Sequence, residues 1–584
     1  MGDAHRSEPL RPLRPRAGLK GRQPDDVALA EVRALLGEGP HARDRLIELL
    51  HGLNDAHGAL FERHLVALAA DMRLSVVEVF EVASFYHHFE VRRDGDAPPA
   101  VTVRVCDSVA CAMAGAAALS QRLASVLGPG VRVLNVPCVG RCEQAPVAVV
   151  GQRPVAKADE GTVRLALSQA AHRHPAPQDG GLFDPAASAP CAIATASDDI
   201  APACVGYDAY RAGGGYALAA ALVQGEQSTD EVLTALEASG LRGLGGAGFP
   251  AGRKWRIVRD QPAPRLMAVN IDEGEPGTFK DRTYLERDPH RFLEGVLVAA
   301  QVVGIEAVYI YLRDEYAGCR AILQRELQRV QADPPCPLPM LELRRGAGAY
   351  ICGEESAMIE SIEGKRGEPR LRPPYIAQVG LFGRPTLEHN FETLYWVRDI
   401  VQRGPAWFTG FGRHGRAGLR SFSVSGRVRE PGVKLAPAGI TLRELVDEFC
   451  GGMAEGHTLQ AYLPGGASGG ILPASLADLP LDFDTLQPHG CFIGSAAVMV
   501  LSQHDRVRDI ALNTMRFFAH ESCGQCTPCR VGTDKAAQLM QAARWDHATL
   551  DDLSNVMIDA SICGLGQAAP NAIRCVQRYF PDEV

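Results

Sequence analysis

The 584-residue sequence lacks any long apolar run, and this absence argues against a membrane-spanning helix. The longest candidates, such as YALAAALV at 216–223, fall short of the roughly 18 apolar residues that a span needs. The N-terminal stretch MGDAHRSEPLRPLRPRAGLKGR also lacks the apolar core of a secretory signal, and its acidic residues and three prolines disfavour an amphipathic transit peptide. We therefore expect a flexible tail over residues 1–24 and a cytoplasmic protein.

An excess of positive charge is absent as well. The formal net charge of −9 at pH 7 argues against a general nucleic-acid binder, which would usually be basic. The apolar fraction of 46% and the charged fraction of 22% are those of an ordinary globular protein, and the length predicts three or more domains. In a reducing compartment the 16 cysteines are unsuited to disulfides, so clustered cysteines point to metal binding or redox chemistry.

The strongest cysteine cluster is ESCGQCTPCR at 521–530, which contains Cys523, Cys526 and Cys529. Zinc is usually held by two separated C-x2-C pairs, whereas a C-x2-C-x2-C run with a distant fourth cysteine is typical of a [4Fe–4S] cluster. Cys563, in SICGLG, follows a predicted helix and precedes two glycines, whereas Cys575 lies on an apparent helix face and is interpreted as core. The predicted ligand set is Cys523, Cys526, Cys529 and Cys563, with structural zinc as the alternative.

A second cluster consists of CDSVAC, with Cys106 and Cys111, and CVGRC, with Cys138 and Cys142. Each pair follows a predicted strand, so two neighbouring strand ends would present four thiolates to one site. Four cysteines suffice for a [2Fe–2S] cluster. The alternative of four unrelated buried cysteines is disfavoured by the two tight pairs in one module.

Periodicity and turn signals divide the chain into successive regions. The predicted order is a helical domain at 25–97, an α/β module of thioredoxin-like size at 98–175, a Pro- and Ala-rich linker at 176–205, a second α/β domain at 206–420, a mostly β domain at 421–503, and a helical C-terminal domain at 504–584.

The glycine-rich loop GLGGAG at 243–248 matches the G-x-G-x-x-G pattern, but its context is wrong for a Rossmann fold. A helix, TDEVLTALEAS at 229–239, precedes the loop where the dinucleotide fingerprint requires a strand. The clustered glycines would still allow backbone N–H groups to approach a ligand, and Lys254 could supply charge to a phosphate. The alternative is a loop that is merely flexible.

Two acidic segments, NIDEGEPGTFKDR at 270–282 and GAGAYICGEES at 346–356, belong to the same prediction. Their carboxylates are poor partners for a phosphate because like charges repel. They suit hydrogen bonds to a ribityl chain, a ribose or an amide. The alternative is a solvated acidic loop, which the dense glycine around Glu354 disfavours.

Five motifs in order resemble the flavin-bearing, NADH-oxidising subunit of respiratory complex I and its relatives: GLRGLGGAGFPAGRKW, VNIDEGEPGTFKDR, GAGAYICGEESAMIESIEGKRGEPRLRPPY, GLFGRPTLEHNFETL and ESCGQCTPCR with SICGLG. This resemblance covers roughly residues 206–584. Residues 25–175 resemble the small [2Fe–2S] subunit of the same respiratory complex, here fused N-terminal to the flavin-bearing region. The fusion is most similar to the diaphorase large subunits of NAD-reducing [NiFe]-hydrogenases, and the fused subunit of an NAD-linked formate dehydrogenase is the near alternative.

The resemblance implies a multidomain α/β and α+β protein with a non-Rossmann FMN-binding domain, a β-grasp domain of the soluble-ligand-binding type at 421–503 and a C-terminal helical bundle. The residues implied to contact FMN are Gly243, Gly245, Lys254, Asn270, Asp272, Glu273, Gly353, Glu354 and Asn390. Those implied to contact NAD(H) are Gly246, Ala247, Phe249, Glu275, Tyr350, Glu355, Arg372 and Tyr375.

The sequence departs from the family pattern at several positions that bear on the nucleotide phosphates. Leu244 replaces an Arg, Gly274 a Ser, His389 an Asn, and Arg372 a Lys. The 33 residues between Cys529 and Cys563 (563 − 529 − 1) form a shorter loop than usual, which we interpret as trimmed.

The implied function is hydride exchange between NAD(H) and FMN, followed by single-electron transfer through the [4Fe–4S] cluster to partner subunits of a hetero-oligomer, such as iron–sulfur and hydrogenase subunits. The [2Fe–2S] cluster would lie off the main electron-transfer route. Glu355 is a candidate for orienting the nicotinamide. The enzymatic alternatives are a fused FMN and iron–sulfur subunit of an NAD-dependent formate dehydrogenase or of a complex I-type NADH:quinone oxidoreductase. The non-enzymatic alternative is a structural zinc scaffold.

Overall fold

The computed structural model describes residues 21–193 and 200–584. Most of the predicted tail, and residues 194–199 of the predicted linker, lie outside the described residues. Within them the chain divides into a smaller unit, residues 21–84 and 89–96, and a larger unit, residues 85–88 and 97–584. None of the helices in these described ranges is both long enough and apolar enough to cross a membrane.

The smaller unit is helical, as its periodicity predicts. Its first helix begins after Asp25, whose carboxylate accepts a hydrogen bond of 2.8 Å from the backbone N–H of Ala28. Apolar side chains three or four residues apart, such as Leu46, Leu50 and Leu53, form the core. The elements are α1 Asp26–Leu36, α2 Leu46–His57, β1 Leu60–Phe61, α3 Glu62–Met72, α4 Val76–Phe85 and β2 Val91–Arg92.

The next region is the predicted thioredoxin-like module. Its elements are β3 Val101–Cys106, α5 Val109–Met113, α6 Ala116–Val126, β4 Val131–Val136, β5 Ala148–Val150, β6 Arg153–Val155 and α7 Glu160–Ser168. The sheet order is β4-β3-β5-β6, with β3 and β4 parallel and the other pairs antiparallel. Because parallel strands end at the same edge, the two cysteine pairs that follow β3 and β4 are brought together.

The predicted linker contains more regular structure than its composition indicates. Three short strands lie there: β7 Asp179–Gly180, β8 Cys191–Ala192 and β9 Cys204–Val205. β7 pairs with β9, and β8 pairs with a strand more than 230 residues later in the chain. Such pairings satisfy backbone groups over long sequence separations, so no local pattern predicts them.

The second α/β domain is built on a four-stranded parallel sheet, with strand order β12-β11-β10-β13. Its strands are β10 Arg265–Ile271, β11 Ile305–Leu312, β12 Met340–Arg345 and β13 Thr386–Asn390. Its helices are α8 Tyr207–Ala212, α9 Ala217–Gln224, α10 Thr229–Ser239, α11 Ala251–Arg259, α12 Lys280–Arg287, α13 Pro289–Val303, α14 Ala317–Ala332, α15 Glu355–Ile362, α16 Phe391–Tyr395, α17 Val397–Arg403 and α18 Pro405–Thr409. Ligands of open parallel sheets bind beyond the carboxyl ends of the strands, which is where both acidic segments begin.

The region predicted to be a β-grasp forms a mixed sheet with strand order β17-β16-β18-β14-β15-β8. Its elements are β14 Leu419–Gly426, β15 Gly432–Pro437, α19 Leu442–Glu444 with a following π-helical turn Leu445–Phe449, β16 Leu459–Leu463, β17 Leu472–Pro473 and β18 Ala497–Ser502. β14 is antiparallel to β15 and parallel to β18, with the helix between the two strand pairs. This is the arrangement expected of a β-grasp.

The C-terminal region is helical, as predicted. Its helices are α20 Val507–Glu521, α21 Thr527–Leu539, α22 His547–Ala560, α23 Gly564–Ala568 and α24 Asn571–Tyr579. Cys526 is the residue immediately before α21, and Cys563 is the residue immediately before α23. Two helix beginnings therefore position the cysteine motif.

Candidate cofactor cavity and cysteine clusters

A cavity of about 340 Å³ lies at the carboxyl ends of the parallel strands. Residues from three regions of the larger unit line it. The parallel-sheet domain contributes Gly245, Gly246, Ala247, Asn270, Asp272, Glu273, Gly274, Glu275, Thr278, Lys280, Asp281, Tyr350, Ile351, Gly353, Glu354 and Asn390; the mixed-sheet domain contributes Ser468, Phe492, Gly494 and Ser495; the C-terminal region contributes Gly564, Leu565 and Ala568.

The glycine loop packs directly against the end of β13. A Cβ added at Gly245 would lie 2.9 Å from the Cβ of Asn390, and Gly246 has a φ of +131° that L-residues rarely adopt. The loop is closed by the N–H of Gly243, which donates a hydrogen bond of 2.8 Å to the carbonyl of Phe249. Glycine is therefore needed where the backbone forms the cavity wall.

Asp272 supplies an unpaired acceptor to this cavity. Its Oδ2 atom is buried and has no hydrogen-bond partner among the described residues, and burial raises the pKa of this carboxyl well above its ordinary value. Nearby, the Asn270 amide donates to the carbonyl of Gly353 at 2.9 Å. A buried acceptor without a partner fits a ligand that carries hydroxyl groups, such as the ribityl chain of FMN.

The other two predicted carboxylates of this segment are already held by the protein. Glu273 accepts the backbone N–H groups of Asp281 (2.8 Å) and Arg282 (3.1 Å), and the Tyr316 hydroxyl (2.8 Å). Burial, together with the charge of Asp281, raises the pKa of Glu273 to about 7. These contacts fix Glu273 as part of the cavity wall.

Glu275 is also held by hydrogen bonds from the protein, which come from Tyr350 and from Ser468 of the mixed-sheet domain. Its carboxylate accepts the Tyr350 hydroxyl, as well as the N–H (2.7 Å) and hydroxyl (2.8 Å) of Ser468. Burial raises the pKa of Glu275. Glu275 therefore links the parallel-sheet domain to the mixed-sheet domain across the cavity.

The cation that lines this cavity is Lys280, which sequence reasoning missed. Its Nζ lies 2.6 Å from Asp281 Oδ1 and 3.1 Å from Glu392 Oε2, and the side chain is buried. Burial opposes its charge, but the two carboxylates raise its pKa above the ordinary value. Lys280 stands in the segment NIDEGEPGTFKDR, yet nothing local distinguishes it from Lys254.

Six of the implied ligand-binding residues do not line the cavity: Gly243, Phe249, Lys254, Glu355, Arg372 and Tyr375. The Lys254 ammonium is 2.8 Å from Glu388 and 3.9 Å from Glu355. The Arg372 guanidinium contacts Glu354 and lies 3.0 Å from Glu355. Phe249 and Tyr375 are 40% and 56% exposed, so their implied stacking on a nucleotide stays a prediction.

The four cysteines of the thioredoxin-like module meet in the structure. The Sγ atoms of Cys138 and Cys142 are 3.4 Å apart, and Cys106 Sγ contacts both Cys111 and Cys138. All four side chains are buried. Four converging thiols in one buried site fit a [2Fe–2S] cluster.

The four cysteines predicted as ligands in the C-terminal region, Cys523, Cys526, Cys529 and Cys563, also lie close to one another. Burial raises the pKa of Cys563 and of Cys529; the neighbouring Cys523 adds to this at Cys563, and the neighbouring Cys526 and Cys523 add to it at Cys529. The backbone N–H groups of Leu565 and Gly566 point to the Cys563 sulfur, although burial raises its pKa to about 12. A helix beginning with N–H groups aimed at a sulfur fits an anionic iron–sulfur cluster held by these four thiolates.

The cavity and this cysteine site share a wall. Cys563 is followed directly by Gly564 and Leu565, and both line the cavity. A Cβ added at Gly566 would lie 2.9 Å from the Cβ of Cys529, so this turn also packs against the C-x2-C-x2-C motif. The sequence places these segments far apart, and no local signal predicts the shared wall.

Three family models match the chain. Residues 236–399 match the Nuo51 FMN-binding domain, residues 509–584 the NADH-ubiquinone oxidoreductase-F iron–sulfur binding region, and residues 32–171 the thioredoxin-like [2Fe–2S] ferredoxin. These matches confirm the cofactors expected from the sequence: FMN, a [4Fe–4S] cluster and a [2Fe–2S] cluster.

Curated relatives match about three fifths of the chain. The mitochondrial NADH-ubiquinone oxidoreductase 51 kDa subunit of Neurospora crassa is 41% identical over 376 residues, covering 61% of this chain and 76% of the relative. The mitochondrial NADH dehydrogenase [ubiquinone] flavoprotein 1 of Dictyostelium discoideum is 40% identical over 378 residues, covering 62% of this chain and 79% of the relative.

Among solved structures, a chain of an NAD⁺-reducing [NiFe]-hydrogenase in the H2-reduced state aligns with a TM-score of 0.78 and 33% identity, covering 93% of both chains. Together with the cavity geometry and the two cysteine sites, these likenesses establish that the chain belongs to the family of the FMN-binding, iron–sulfur-bearing NADH dehydrogenase subunits known as the 51 kDa subunits.

Proposed function

We propose that this chain is the diaphorase subunit of an NAD-reducing hydrogenase, exchanging electrons between NAD(H) and partner iron–sulfur and hydrogenase subunits. Electron transfer from FMN to the [4Fe–4S] cluster is supported by one observation: the turn that follows Cys563 forms part of the cavity wall. FMN bound in the cavity supplies the required chemistry, because a flavin exchanges a hydride with NAD(H) and single electrons with iron–sulfur clusters.

The protein's own contribution is binding, orientation and exclusion of water. The glycine loop and Asn390 bring backbone close to the ligand, while Asn270 and Asp272 offer polar atoms to its hydroxyl groups. Lys280 provides a positive charge that is fixed by two carboxylates before any ligand arrives. Such prearranged dipoles and charges need little reorganisation during electron transfer.

Glu355 remains a candidate for orienting the nicotinamide rather than for acid or base catalysis. It lies beside Lys254 and Arg372, outside the cavity lining, and burial raises its pKa. We propose that Glu355, Arg372, Phe249 and Tyr375 meet the nucleotide at the open side of the cavity. Phe249 and Tyr375 are exposed, so their rings are accessible to a second ligand.

A hydrogenase partner is favoured by the extent of the structural likeness. The hydrogenase chain aligns over nearly the whole of both chains, and thus over most of the region before residue 206, whereas the Neurospora relative matches 61% of this chain. The fused arrangement therefore has its counterpart in the hydrogenase chain. We further propose a cytoplasmic location, in keeping with the unpaired cysteines expected in a reducing compartment.

Purification of the chain with its native partners tests the proposal. We expect flavin and iron–sulfur absorption that NADH bleaches, co-purifying hydrogenase subunits, and reduction of NAD⁺ by H2. Formate-dependent or quinone-linked activity with other co-purifying subunits would replace the hydrogenase assignment while leaving the diaphorase chemistry intact. A colourless, zinc-loaded protein would overturn both.

A further inference from the structure

The short segment 85–88 belongs to the larger unit, where its backbone is fixed to the loop that precedes Tyr350. The N–H of His87 donates to the carbonyl of Gly348 at 3.3 Å, and the N–H of His88 donates to the carbonyl of Ala347 at 3.1 Å. The Tyr86 hydroxyl donates to Ser361 Oγ at 2.9 Å. These contacts hold the His87 side chain near the end of α20.

At that end, His87 meets His520 and Glu521. The two imidazole rings stack with centroids 4.2 Å apart and an interplanar angle of 24°. Glu521 Oε1 lies 3.9 Å from His87 Nδ1 and 4.0 Å from His520 Nε2. One ligand atom from each of the three residues lies within 4.8 Å of the other two.

We propose that His87, His520 and Glu521 form a binding site for a divalent transition-metal ion of the zinc class. Two imidazole nitrogens and a carboxylate oxygen are ligands that zinc prefers, with a fourth position left to water. At metal–ligand distances of about 2.0–2.2 Å, tetrahedral ligands lie about 3.3–3.6 Å apart. Relative to these ideal separations, Glu521 Oε1 is about 0.5 Å too far from each imidazole nitrogen. The side chains of His87 and His520 are 43% and 49% exposed, so both have room to move toward a common ion.

The protonation state of the site suits a metal. Burial and the neighbouring His520 lower the pKa of His87 to about 4, and burial lowers the pKa of His520. Both imidazoles are therefore neutral at pH 7, with lone pairs available for a metal. A stacked pair of neutral histidines beside a carboxylate gains little from ion pairing, whereas a cation would bind all three groups.

The position of Glu521 is set independently of any metal. Its Oε2 accepts the backbone N–H of Tyr350 at 2.9 Å, and its side chain is only 5% exposed. The charge of Glu315 acts on both His87 and Glu521 and favours a cation, while the positive charge of Arg313 acts on Glu521 in the opposite sense. Magnesium and calcium would bind poorly, because they require more oxygen ligands than the one that this site offers.

A bound ion would connect two parts of the larger unit. Glu521 is two residues before Cys523, and Tyr350 lines the cavity. The ion would therefore fasten segment 85–88 to the helix that leads into the cysteine motif. This inference concerns metal binding alone and does not depend on the identity of the electron-transfer partners.

Zinc titration of the full-length protein carrying its flavin and clusters tests the proposal. We expect calorimetry to show one more Zn²⁺ bound by the wild type than by His87→Asn or His520→Asn, or an affinity weaker by about tenfold or more in each variant, as even outer-shell losses weaken metal sites by about 10–100-fold. Mg²⁺ should not bind to this site. Co²⁺ should give visible d–d bands that both variants lose.

His414→Asn is the matched control, because His414 is an exposed histidine whose Nε2 lies 3.1 Å from Glu444 Oε1, outside the three-residue group formed by His87, His520 and Glu521. It should bind Zn²⁺ as the wild type does. Flavin and iron contents equal to the wild type show that each variant is folded. They also show that the cluster cysteines are occupied by iron, so that zinc bound by empty cysteines does not mask the loss of this site. Wild-type Zn²⁺ affinity and stoichiometry in both His87→Asn and His520→Asn, or an equal loss in His414→Asn, would overturn the proposal.

Discussion

Arg313 donates a hydrogen bond of 2.7 Å from Nη2 to the carbonyl oxygen of Cys138, while Nη1 donates one to the carbonyl of Glu273. One buried guanidinium thus holds both a cysteine of the thioredoxin-like module and the backbone of the cavity wall. Burial opposes its charge, but Glu315 and Tyr316 raise the pKa of Arg313 well above its ordinary value. The arginine therefore remains charged, and it cannot be removed without leaving buried carbonyl groups unpaired.

We expect Arg313→Met to destabilise the protein and to impair assembly of the [2Fe–2S] cluster. Leaving a buried acceptor unsatisfied costs about 1–3 kcal/mol, and two carbonyls lose their donor here. Thermal unfolding and the electron paramagnetic resonance signal of the reduced cluster measure the two effects. Arg256→Met is the control, since Arg256 forms an exposed pair with Glu237. Wild-type stability and signal in Arg313→Met would refute this role.

Replacing Gly245 with alanine should weaken FMN binding, whereas the same change at Gly243 should not. The new Cβ at 245 would approach Asn390 Cβ to 2.9 Å, while at 243 the nearest atom is 3.6 Å away, an ordinary contact. Overpacking costs about 1–3 kcal/mol, equivalent to about a 5- to 150-fold loss of affinity. Fluorescence titration of flavin-depleted protein gives both affinities. Equal affinities would show that the loop relaxes without cost.

Cys563→Ser should remove the [4Fe–4S] cluster and leave the [2Fe–2S] cluster in place, because the four cysteines of the thioredoxin-like module form a separate buried site. Iron analysis and electron paramagnetic resonance spectra of the reduced protein distinguish the two clusters. Cys336→Ser is the control, since Cys336 belongs to neither site. Retention of both clusters in Cys563→Ser would mean that another residue supplies the fourth ligand.

Asp272→Asn should stabilise the flavin-free protein at higher pH while weakening FMN binding. The folded state raises the pKa of Asp272, so it binds the proton more tightly than the unfolded state does. The carboxyl therefore costs stability increasingly as pH rises above its unfolded pKa, about 3.9, and each tenfold difference in proton affinity between the two states corresponds to about 1.4 kcal/mol.

The measurement is the difference in thermal midpoint between Asp272→Asn and wild type at pH 5 and pH 8, which should grow with pH. Asp552→Asn is the control, because Asp552 is exposed on α22. A difference that does not change with pH would contradict the assigned burial cost. Unchanged FMN affinity would show that Asp272 does not contact the flavin.

The cysteine sites were the most predictable part of the molecule. Spacing alone predicts Cys523, Cys526 and Cys529 as ligands of one centre, because ligands of one metal centre must converge within a few ångströms. The pairs at 106/111 and 138/142 follow parallel strands, so the same edge of the sheet collects them. The cavity was less accessible to prediction, since Lys280, Phe492 and Leu565 carry no local signal that sets them apart.

The amino-acid sequence alone sets the elements and the chemistry: helical and strand periodicity, two cysteine sets, and motifs that identify the flavin-binding family. Only the packing of the folded chain determines which of the predicted ligand-binding residues line one cavity. Packing also brings β8 into a sheet with strands distant in sequence and places His87 beside Glu521. The reason is physical. Local patterns record what each segment prefers to bury or expose, whereas contacts between residues hundreds of positions apart depend on how several domains pack around a common wall.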